Sequence, residues 1–498
     1  MMASNVSRDV SQDQSSVVQT RKPWYAFATV AAGRFVRFAS RVTKHGGSAL
    51  PGKVVEKIDP GFLTRTLGQL PLGVVLVSGT NGKTTTTRMV ASMLSDLGLK
   101  VFTNPTGSNF VRGVVSALLT EVTFGGKLDA DIAVLELDEA YAVHFVKQVK
   151  PRYALLLNVM RDQLDRFGEI DTTAKLLSHV AAATTGTVVL NREDPRIAAL
   201  AAKAPADTTV RYFGLADDLR HYFPSDDDMA TTVSVEGVAG PLPSVSTPLS
   251  PLRGQLPSER EAAAGTAELP ADVTLTAVGD HKATFQMDGQ DYATDVKLEG
   301  VYNLYNAAAA LAVVRAVMQD NAAASKATAA ANACAVSADE LIAAVSRVTP
   351  AFGRGEVIDV NGSPVELLLV KNPMGFRLSL ASFDPANADT MIAINDEYAD
   401  GRDMSWLWDV DFTSLRASGV AMVSGVRAWD MALRLGYDQV PVADTNTDLE
   451  QAVTAFVNAN PGTRKHIYCT YTAMLKNPCR TGPHHRSTGR GRGQVTTL

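Results

Sequence analysis

A glycine-rich loop that contains a lysine is the strongest chemical signal in the sequence. The residues SGTNGKTTT follow the apolar run LGVVLV and precede a segment of helical composition. Glycines let a backbone approach a phosphate, and amides at a helix N-terminus point at the anion. In such loops the lysine reaches the β- and γ-phosphates, and the next hydroxyl offers an oxygen to Mg²⁺. We therefore predict that a nucleotide is bound by Gly79, Thr80, Asn81, Gly82, Lys83, Thr84 and Thr85.

An acidic residue follows a second buried segment. The run AVLEL places Glu136 at the end of an apolar strand, and Asp138 and Glu139 come directly after it. An acid at the carboxyl end of a strand in an α/β sheet lies at the ligand crevice. We expect Thr84 to offer its hydroxyl to Mg²⁺ and these acids to lie at the same crevice. For Asp138 and Glu139, a cap on the next helix is the alternative.

The segments that must position these residues alternate between strand and helix. Short apolar, β-branched runs predict buried parallel strands, and helical patterns separate them. The predicted strands are LGVVLVSG, AVLEL, YALLLN and TVVLN, followed after Pro350 by VELLLV, TMIAIN and VAMVSG. This alternation predicts an α/β fold with doubly wound sheets. Residues 222–272 are rich in Ser, Pro, Asp and Gly and interrupt the order as a flexible insertion.

The bulk composition excludes several classes of protein. A chain of 498 residues exceeds one ordinary core, so two or three domains are expected. The net charge of −5 argues against nucleic acid as the main partner. Three scattered cysteines do not form a disulfide framework or a four-thiolate zinc site. We find no apolar run of roughly 20 residues for a membrane span and no export signal, so we expect a cytoplasmic protein.

A basic amphipathic helix is predicted near the N-terminus. Its apolar stripe consists of Phe27, Ala31, Phe35, Phe38 and Val42, and its basic stripe consists of Arg34, Arg37, Arg41 and Lys44. Such a helix can lie on an anionic membrane surface. The alternative is a helix that packs on its own protein and keeps a solvated basic side.

The loop GTNGKTTT resembles the nucleotide loop of the Mur ligase superfamily, in which amides form through an ATP-dependent acyl phosphate. The segment NVMRDQLDRFG is similar to that family's Asn-x-x-x-Asp-His-Leu-Asp motif, with Gln163 in place of the histidine, which puts a second metal site in doubt. The turn NREDP and the segments GVYNLYNAAAA and FGRGE also match. The resemblance implies that Lys83 and Glu136 are catalytic and that Glu136 holds Mg²⁺ together with Thr84. It implies further nucleotide contacts from Asn158, Asn303, Asn306 and Arg354.

The stretch NDEYADGRDMSWLWDVDF and the segment LPGKVVEKIDPGFL resemble the MurT family, over roughly residues 24–215 and 290–475. That family forms the synthetase subunit of lipid II isoglutaminyl synthase. The resemblance implies amidation of the D-glutamate α-carboxyl of lipid II, with ammonia from a GatD-type glutaminase in a heterodimer. It assigns Asp403 as the acid that orients the partner's histidine, with Trp406 and Trp408 at the subunit contact. A helix cap is the alternative for Asp403.

The implied architecture is a Mur ligase central domain with a P-loop type sheet, followed by a smaller Rossmann-like α/β domain. We place the helical segment at 21–60, the central domain at 61–348 and the C-terminal domain at 349–480, with disordered ends at 1–20 and 481–498. No zinc is expected, because the insertion lacks the cysteines that many relatives carry. The expected location is the cytoplasm, at the inner face of the plasma membrane.

Two other functions remain open at this point. A stand-alone Mur-like amino-acid ligase of the folylpolyglutamate type would act on a free amino acid without a partner. A nucleotide-gated scaffold would recruit a partner without catalysis, and Gln163 is its main support. The intact loop residues and the Gly-Arg-Asp-x-Ser-Trp stretch favour the amide synthetase.

Overall fold

A computed structural model describes residues 25–42, 50–104, 109–160, 170–222, 269–279, 281–298, 301–327, 336–349, 354–398 and 400–476. Several predictions fall outside these ranges, namely the polar terminus at 1–20, the tail from 481, Gln163 and nearly all of the insertion at 222–272. The predicted domain boundaries remain predictions. The described chain forms two β-sheets, and they lie on either side of the boundary placed near residue 349.

The first sheet has nine strands in the order β2-β3-β1-β4-β5-β6-β7-β8-β9. Its strands are β1 (Val74–Ser78), β2 (Val101–Thr103), β3 (Ile132–Glu136), β4 (Tyr153–Leu156), β5 (Thr187–Asn191), β6 (Thr209–Leu215), β7 (Val273–Gly279), β8 (Lys282–Met287) and β9 (Gln290–Asp295). Strands β1 to β7 pair in parallel, and β7, β8 and β9 pair antiparallel. The four predicted central strands are confirmed. A tight turn at Asp288-Gly289 joins β8 to β9.

Helices cover both sides of this sheet. They are α1 (Ala26–Val42), α2 (Leu50–Ile58), α3 (Phe62–Leu67), α4 (Lys83–Asp96), α5 (Val111–Glu121), α6 (Glu139–Val146), α7 (Ile170–Ala183), α8 (Pro195–Ala198), α9 (Val301–Ala327) and α10 (Ala338–Arg347). Side chains alternate along a strand, so each buried strand serves two cores. In β1, Val75 and Val77 join the core beneath α4 and α9, and Val74 and Leu76 join the core on the other side.

Helix α9 corrects one expectation from the sequence. Its segment Val301–Ala322 is long and apolar enough to cross a membrane by length and composition alone. Alanines give this segment a moderate hydropathy over its whole length, which hides it in a search for strongly apolar runs. Within the protein 78% of this apolar stretch is buried. Its residues Ala307 to Val314 belong to the core of the first sheet. The segment is therefore a core helix of this fold.

The second sheet has six strands in the order β10-β11-β15-β12-β13-β14. They are β10 (Arg354–Val360), β11 (Ser363–Leu369), β12 (Ala388–Ala393), β13 (Met422–Ser424), β14 (Thr445–Asn446) and β15 (Arg464–Cys469). Only the β10–β11 pair in this sheet is antiparallel. The helices of this part are α11 (Pro373–Ser382), α12 (Ala428–Tyr437), α13 (Leu449–Asn458) and α14 (Tyr471–Leu475). This arrangement confirms the predicted second α/β unit.

Candidate active site

The candidate site lies at the carboxyl ends of β3, β1 and β4, which are neighbours in the sheet. The loop after β1 has two glycines with positive φ, +135° at Gly79 and +85° at Gly82. A Cβ at Gly79 would lie 2.9 Å from the backbone nitrogen of Asn158, and a Cβ at Gly82 would lie 2.5 Å from Oδ1 of Asn306. Both glycines are therefore required by conformation and by close packing.

Asn158 supports the loop from the neighbouring strand. Its side-chain oxygen accepts a hydrogen bond from the backbone nitrogen of Asn81 at 2.8 Å. Its side-chain nitrogen donates to the backbone oxygen of Asn81 at 3.1 Å. The backbone oxygen of Asn158 also accepts from Thr80 N at 3.0 Å. Asn158 thus fixes the shape of the phosphate loop and has a positioning role. Its contact with the nucleotide stays a prediction.

Lys83 is buried at the start of α4. Its ammonium donates to the carbonyl of Gly79 at 2.5 Å and pairs with the carboxylate of Glu139 at 3.2 Å. The side chains of Lys83 and Glu139 are 8% and 3% exposed. The pairing holds the cation under the loop, where a phosphate would meet it. The sequence offered two roles for Glu139, and the contact with Lys83 is a third that it did not reveal.

Thr84 and Glu136 meet as the sequence predicts. The Thr84 hydroxyl donates to Oε1 of Glu136 at 2.9 Å. Asn104, which the sequence analysis missed, pairs with the backbone of Glu136 in both directions, at 2.9 and 3.0 Å. A hydroxyl and a carboxylate are hard oxygen donors that suit Mg²⁺. No group of three or more His, Cys, Asp or Glu that could hold a metal occurs among the described residues.

Two further predicted contacts lie on α9. Asn306 borders Gly82, as described above, and Asn303 is 1% exposed in the first turn of the helix. Arg354 is the first residue of β10, and its side chain lies outside the described part of the structure. The structure therefore brings Asn306 to the loop and leaves the predicted role of Arg354 as a prediction.

The C-terminal domain reaches the phosphate loop through residues that the sequence analysis did not assign. Nζ of Lys371 donates to the backbone oxygen of Thr80 at 2.9 Å. Nδ2 of Asn372 donates to Oδ1 of Asn81 at 2.9 Å. Oδ1 of Asn372 caps α11 by accepting from Gly375 N at 2.8 Å. Lys371 and Asn372 therefore complete the site from the second sheet.

Several carboxylates of the acidic stretch after β12 form contacts within the protein. Asp396 pairs with Arg427 at 2.9 Å, and Glu397 pairs with Lys476 at 2.5 Å. Asp400 is 5% exposed and accepts two hydrogen bonds from Thr472. Burial raises the pKa of Asp400. These contacts hold the loop that carries Asp403.

Asp403 is partly exposed on this loop. Its Oδ1 accepts from the backbone nitrogen of Ser405 at 2.9 Å. The pKa of Asp403 is lowered by hydrogen bonds from Ser405, that from the side chain first and that from the backbone second. The cap alternative is not realised, because the N-cap of the 3₁₀ helix Ser405–Asp409 is Met404 and no side chain caps that helix. The contact of Asp403 with Ser405 N forms a turn just before it. The carboxylate stays ionised, and a carboxylate has lone pairs enough to accept from a further donor.

One prediction about the tryptophans is wrong. Trp406 is 5% exposed, and its ring centroid lies 6.4 Å from that of Phe376 in the core of the second sheet. It therefore stabilises the domain instead of forming a subunit contact. Trp408 is 50% exposed, as a surface contact requires. Its ring meets Tyr437 edge to face at 5.1 Å.

Helix α12 adds exposed aromatic residues near Trp408. Trp429, Leu433 and Tyr437 follow helical spacing and are 67%, 58% and 69% exposed. We call these three residues with Trp408 the α12 outer face. Arg434 lies beside it, 5.5 Å from the Trp408 ring, and donates hydrogen bonds to the backbone of Leu407 and Val410. Exposed aromatic clusters of this kind mark binding surfaces.

Cys469 is the one cysteine within the described residues. It is buried in β15, and burial raises the pKa of its thiol to about 12. A thiol with such a pKa is not a nucleophile at neutral pH. Cys334 and Cys479 lie outside the described ranges.

Comparisons with known proteins agree with this geometry. A model of the Mur ligase middle domain matches residues 77–238, and a model of the MurT ligase C-terminal domain matches residues 369–474. Over 475 residues the chain is 31% identical to the Streptococcus pneumoniae protein named lipid II isoglutaminyl synthase (glutamine-hydrolyzing) subunit MurT. That alignment covers 89% of this chain and 94% of the relative. The chain belongs to the MurT family.

A second MurT relative, from Staphylococcus aureus, is 27% identical over 421 residues and is covered to 89%. Among solved structures, MurF from Acinetobacter baumannii matches with a TM-score of 0.59 at 18% identity, covering 87% of this chain and 79% of that one. Folylpolyglutamate synthase from Mycobacterium tuberculosis matches with a TM-score of 0.55 at 16% identity, covering 91% and 98%. These likenesses confirm the Mur ligase fold for this MurT family member.

Proposed function

We propose that this chain is the ATP-dependent synthetase subunit of a lipid II isoglutaminyl synthase. It amidates the α-carboxyl of D-glutamate in the lipid II stem peptide during peptidoglycan synthesis. The observation that carries the proposal is the match to the pneumococcal MurT subunit over 94% of its length. The phosphate loop, Glu136 and the Lys371–Asn372 segment lie together within that match.

The reaction proceeds in two steps, phosphorylation of the carboxylate and attack by ammonia. A carboxylate oxygen attacks the γ-phosphorus of ATP, the bond to the β–γ bridging oxygen breaks, and ADP leaves. Ammonia then adds to the acyl carbon and loses a proton as phosphate leaves, so one amide forms for each ATP. Phosphoryl transfer of this kind depends on positioning and on charge neutralisation. Lys83 supplies a buried cation beneath the loop for that purpose.

Thr84 and Glu136 are the residues that would hold Mg²⁺. Their oxygens are in hydrogen-bond contact, and Asn104 fixes the strand end that carries Glu136. When bound, Mg²⁺ neutralises phosphate charge and orients the γ-phosphoryl group. Mg²⁺ demands near-octahedral oxygen coordination and usually keeps waters and substrate phosphates as ligands. Two protein oxygens are therefore sufficient for the role.

We further propose that Lys371 acts on the phosphoryl group from the C-terminal domain. Its ammonium already lies 2.9 Å from the backbone of the phosphate loop. Nζ of Lys83 lies 3.4 Å from the same backbone oxygen, that of Thr80. A second cation at this point of the loop would stabilise the charge that develops on the equatorial oxygens. The Asn372–Asn81 contact sets the distance between the two domains at this point.

The nitrogen source is a GatD-type glutaminase bound as the second subunit of a heterodimer. The pneumococcal relative is named as a glutamine-hydrolyzing subunit, and Cys469 has a pKa too high for a glutaminase nucleophile. The ionised carboxylate of Asp403 would orient and polarise a histidine of the partner. The α12 outer face offers the partner aromatic side chains, which are enriched at subunit interfaces.

We also propose that the protein works at the inner face of the plasma membrane. Lipid II carries a lipid anchor, so its stem peptide is presented at the bilayer surface. A synthetase that reaches this peptide must approach within the length of the headgroup. The chain therefore acts as a cytoplasmic protein with peripheral membrane contact.

The test measures ADP release and amidated lipid II with the purified chain, ATP and Mg²⁺. Nitrogen is supplied as ammonium or as glutamine, each with and without the glutaminase. Amidation with ammonium alone, and with glutamine only when the partner is present, is the expected result. The variant Lys83→Met should abolish both reactions, because it removes the cation and leaves the loop backbone intact.

Two other outcomes would change the conclusion. ATP turnover only with a free amino acid, unaffected by the partner, would identify a stand-alone ligase of the folylpolyglutamate type. Glutaminase binding without ATP turnover under any nitrogen source would identify a nucleotide-gated scaffold. Lys100→Met is a suitable control, since Lys100 is exposed just before the amino end of β2 and pairs with Asp129, away from the phosphate loop.

A further inference from the structure

The N-terminal helix packs on the protein with the side opposite to its predicted apolar stripe. Thr29 and Val30 are fully buried, and Gly33 is buried beside them. A Cβ at Gly33 would lie 2.7 Å from Cδ1 of Leu119 and 2.8 Å from Cγ2 of Val55. Close contact with α2 and α5 therefore requires glycine, and this fixes which side of α1 faces inward.

The outward side of α1 is apolar. Ala28, Ala31, Phe35 and Phe38 are exposed, and the two phenylalanines are 69% and 66% exposed. We call these four residues the α1 outer face. The outward side of a helix on a soluble domain is ordinarily polar. A row of alanine and phenylalanine facing solvent therefore indicates a surface that meets another apolar medium.

Arg34 locks this orientation and extends the surface. Its Nε donates to the backbone oxygen of Leu119 at 2.8 Å, and its Nη2 donates to that of Val122 at 2.6 Å. The guanidinium lies 4.7 Å from the centroid of the Phe124 ring. Phe124 is 65% exposed, so a third phenylalanine is held beside the same helix.

The charge of the two N-terminal helices is opposite to that of the whole chain. α1 carries Arg34, Arg37 and Arg41 and no acid, and α2 adds Lys53 and Lys57. The one acid in these helices, Glu56, pairs with Arg112 at 2.8 Å. The net charge of the full chain is −5. A basic region on an acidic protein favours an anionic partner surface.

We propose that the α1 outer face and Phe124 insert into the headgroup region of an anionic bilayer. Phenylalanines with neighbouring arginines are the composition of interfacial helices, whose apolar side enters the acyl boundary and whose cations meet lipid phosphates. The choice of a membrane over a protein as the occupant rests on the proposed function, because that function places the substrate in a bilayer. The contact would orient the active site toward membrane-bound stem peptides.

The test is flotation of the full chain with vesicles of phosphatidylcholine, with and without 30% phosphatidylglycerol. The substitution pair Phe35→Ser and Phe38→Ser should lower binding to the anionic vesicles at least about tenfold. Binding should also weaken in high salt and on neutral vesicles. Trp429→Ser is the matched control, because it removes an aromatic residue of similar exposure from the α12 outer face and should float as the unaltered chain does.

Amidation assays separate this inference from the proposed function. The Phe35/Phe38 variant should amidate lipid II in detergent micelles at the normal rate and lipid II in vesicles at a reduced rate. If the unaltered chain amidates lipid II but does not bind vesicles, the membrane contact alone would be overturned. Vesicle binding without amidation would overturn the proposed function alone.

If a protein covers the α1 outer face in place of a membrane, the Phe35/Phe38 variant gives different results. If the Phe35/Phe38 variant changes the sedimentation of the chain from dimer to monomer, a second copy covers the α1 outer face. If it loses the glutaminase, the partner covers that face. Either result, with vesicle binding unaffected, would overturn the membrane contact.

Discussion

Lys371 and Thr80 are 291 residues apart in the chain, and the ammonium of Lys371 donates a hydrogen bond to the carbonyl of Thr80 at 2.9 Å. The contact joins the second sheet to the phosphate loop of the first. Asn372, the next residue, also joins the two by donating a hydrogen bond to the side chain of Asn81. The active site is therefore complete only when the two domains are together.

Lys371→Met should lower the rate of ammonium-driven amidation by about 100-fold. The substitution keeps the length of the side chain and removes the cation that would meet the γ-phosphoryl group. ATP affinity should change less than kcat, because the loop and Lys83 remain. Steady-state kinetics with ammonium as nitrogen source would measure this, and Lys100→Met would serve as the control. A loss of ATP affinity with kcat unchanged would assign Lys371 to ground-state binding instead.

Glu136→Gln and Thr84→Ala should each lower the rate by at least about 100-fold and raise the Mg²⁺ concentration required for half-maximal activity. Thr84→Ala removes the hydroxyl, and Glu136→Gln replaces the anionic carboxylate with a neutral amide; the two groups are in contact at 2.9 Å. Thr84→Ser keeps the hydroxyl and should retain most of the activity. A Mg²⁺ titration at saturating ATP would separate the metal effect from the rate effect. An unchanged Mg²⁺ requirement in both damaging variants would remove these residues from the metal site.

Asp403→Asn should reduce glutamine-driven amidation by about 100-fold or more and leave the ammonium-driven reaction unchanged. The neutral amide no longer stabilises a protonated histidine, although it can still accept the hydrogen bond from Ser405. Asp411→Asn is a close control, because Oδ1 of Asp411 accepts from Thr413 N at 2.8 Å in the same local geometry. Loss of ammonium-driven activity in the Asp403 variant would show that this loop serves the synthetase site itself.

The raised pKa of Asp194 predicts that the free energy of unfolding depends on pH. It accepts hydrogen bonds from Val159, Arg196 and Ile197, and burial raises its pKa to about 6 from 3.8. Between these values the folded state holds a proton that the unfolded state has lost. The contribution of Asp194 to the free energy of unfolding is therefore greatest below pH 4, falls by about 3 kcal/mol as the pH rises through 6, and then levels off.

Asp194→Asn should remove this decline. The difference in the free energy of unfolding between the variant and the unaltered chain should rise with pH across the same window. Urea unfolding at pH 4.5 and pH 7.5 would measure it. A difference that stays constant with pH would mean that Asp194 has an ordinary pKa in the folded protein.

Local motifs in the sequence were sufficient to place much of the site. The phosphate loop and Glu136 follow predicted strands directly, and parallel strands bring their carboxyl ends to one edge. The contacts of Lys371 and Asn372 depend on how two domains meet, and no local pattern encodes that arrangement. Asn104 was missed for a related reason, since it follows the short edge strand β2, which the sequence analysis did not identify.

Burial was harder to predict than position. Trp406 and Trp408 are two residues apart in an acidic stretch, yet one is 5% exposed and the other is 50% exposed. The 3₁₀ turn at Ser405–Asp409 sends them to different surroundings. In α1 the apolar residues surround most of the helix, so periodicity alone cannot select the packed side. Gly33 decides it by permitting close approach.

The loop that carries Asp403 is held by the protein's own contacts. Thr472 donates two hydrogen bonds to Asp400, and Asn395 joins the same region through Thr470 and Val426. A partner that docks there meets a loop that is already ordered, so association does not have to offset the entropy of ordering it. The heat-capacity change on binding should then reflect the apolar area buried between two preformed surfaces, without the larger contribution that accompanies coupled folding.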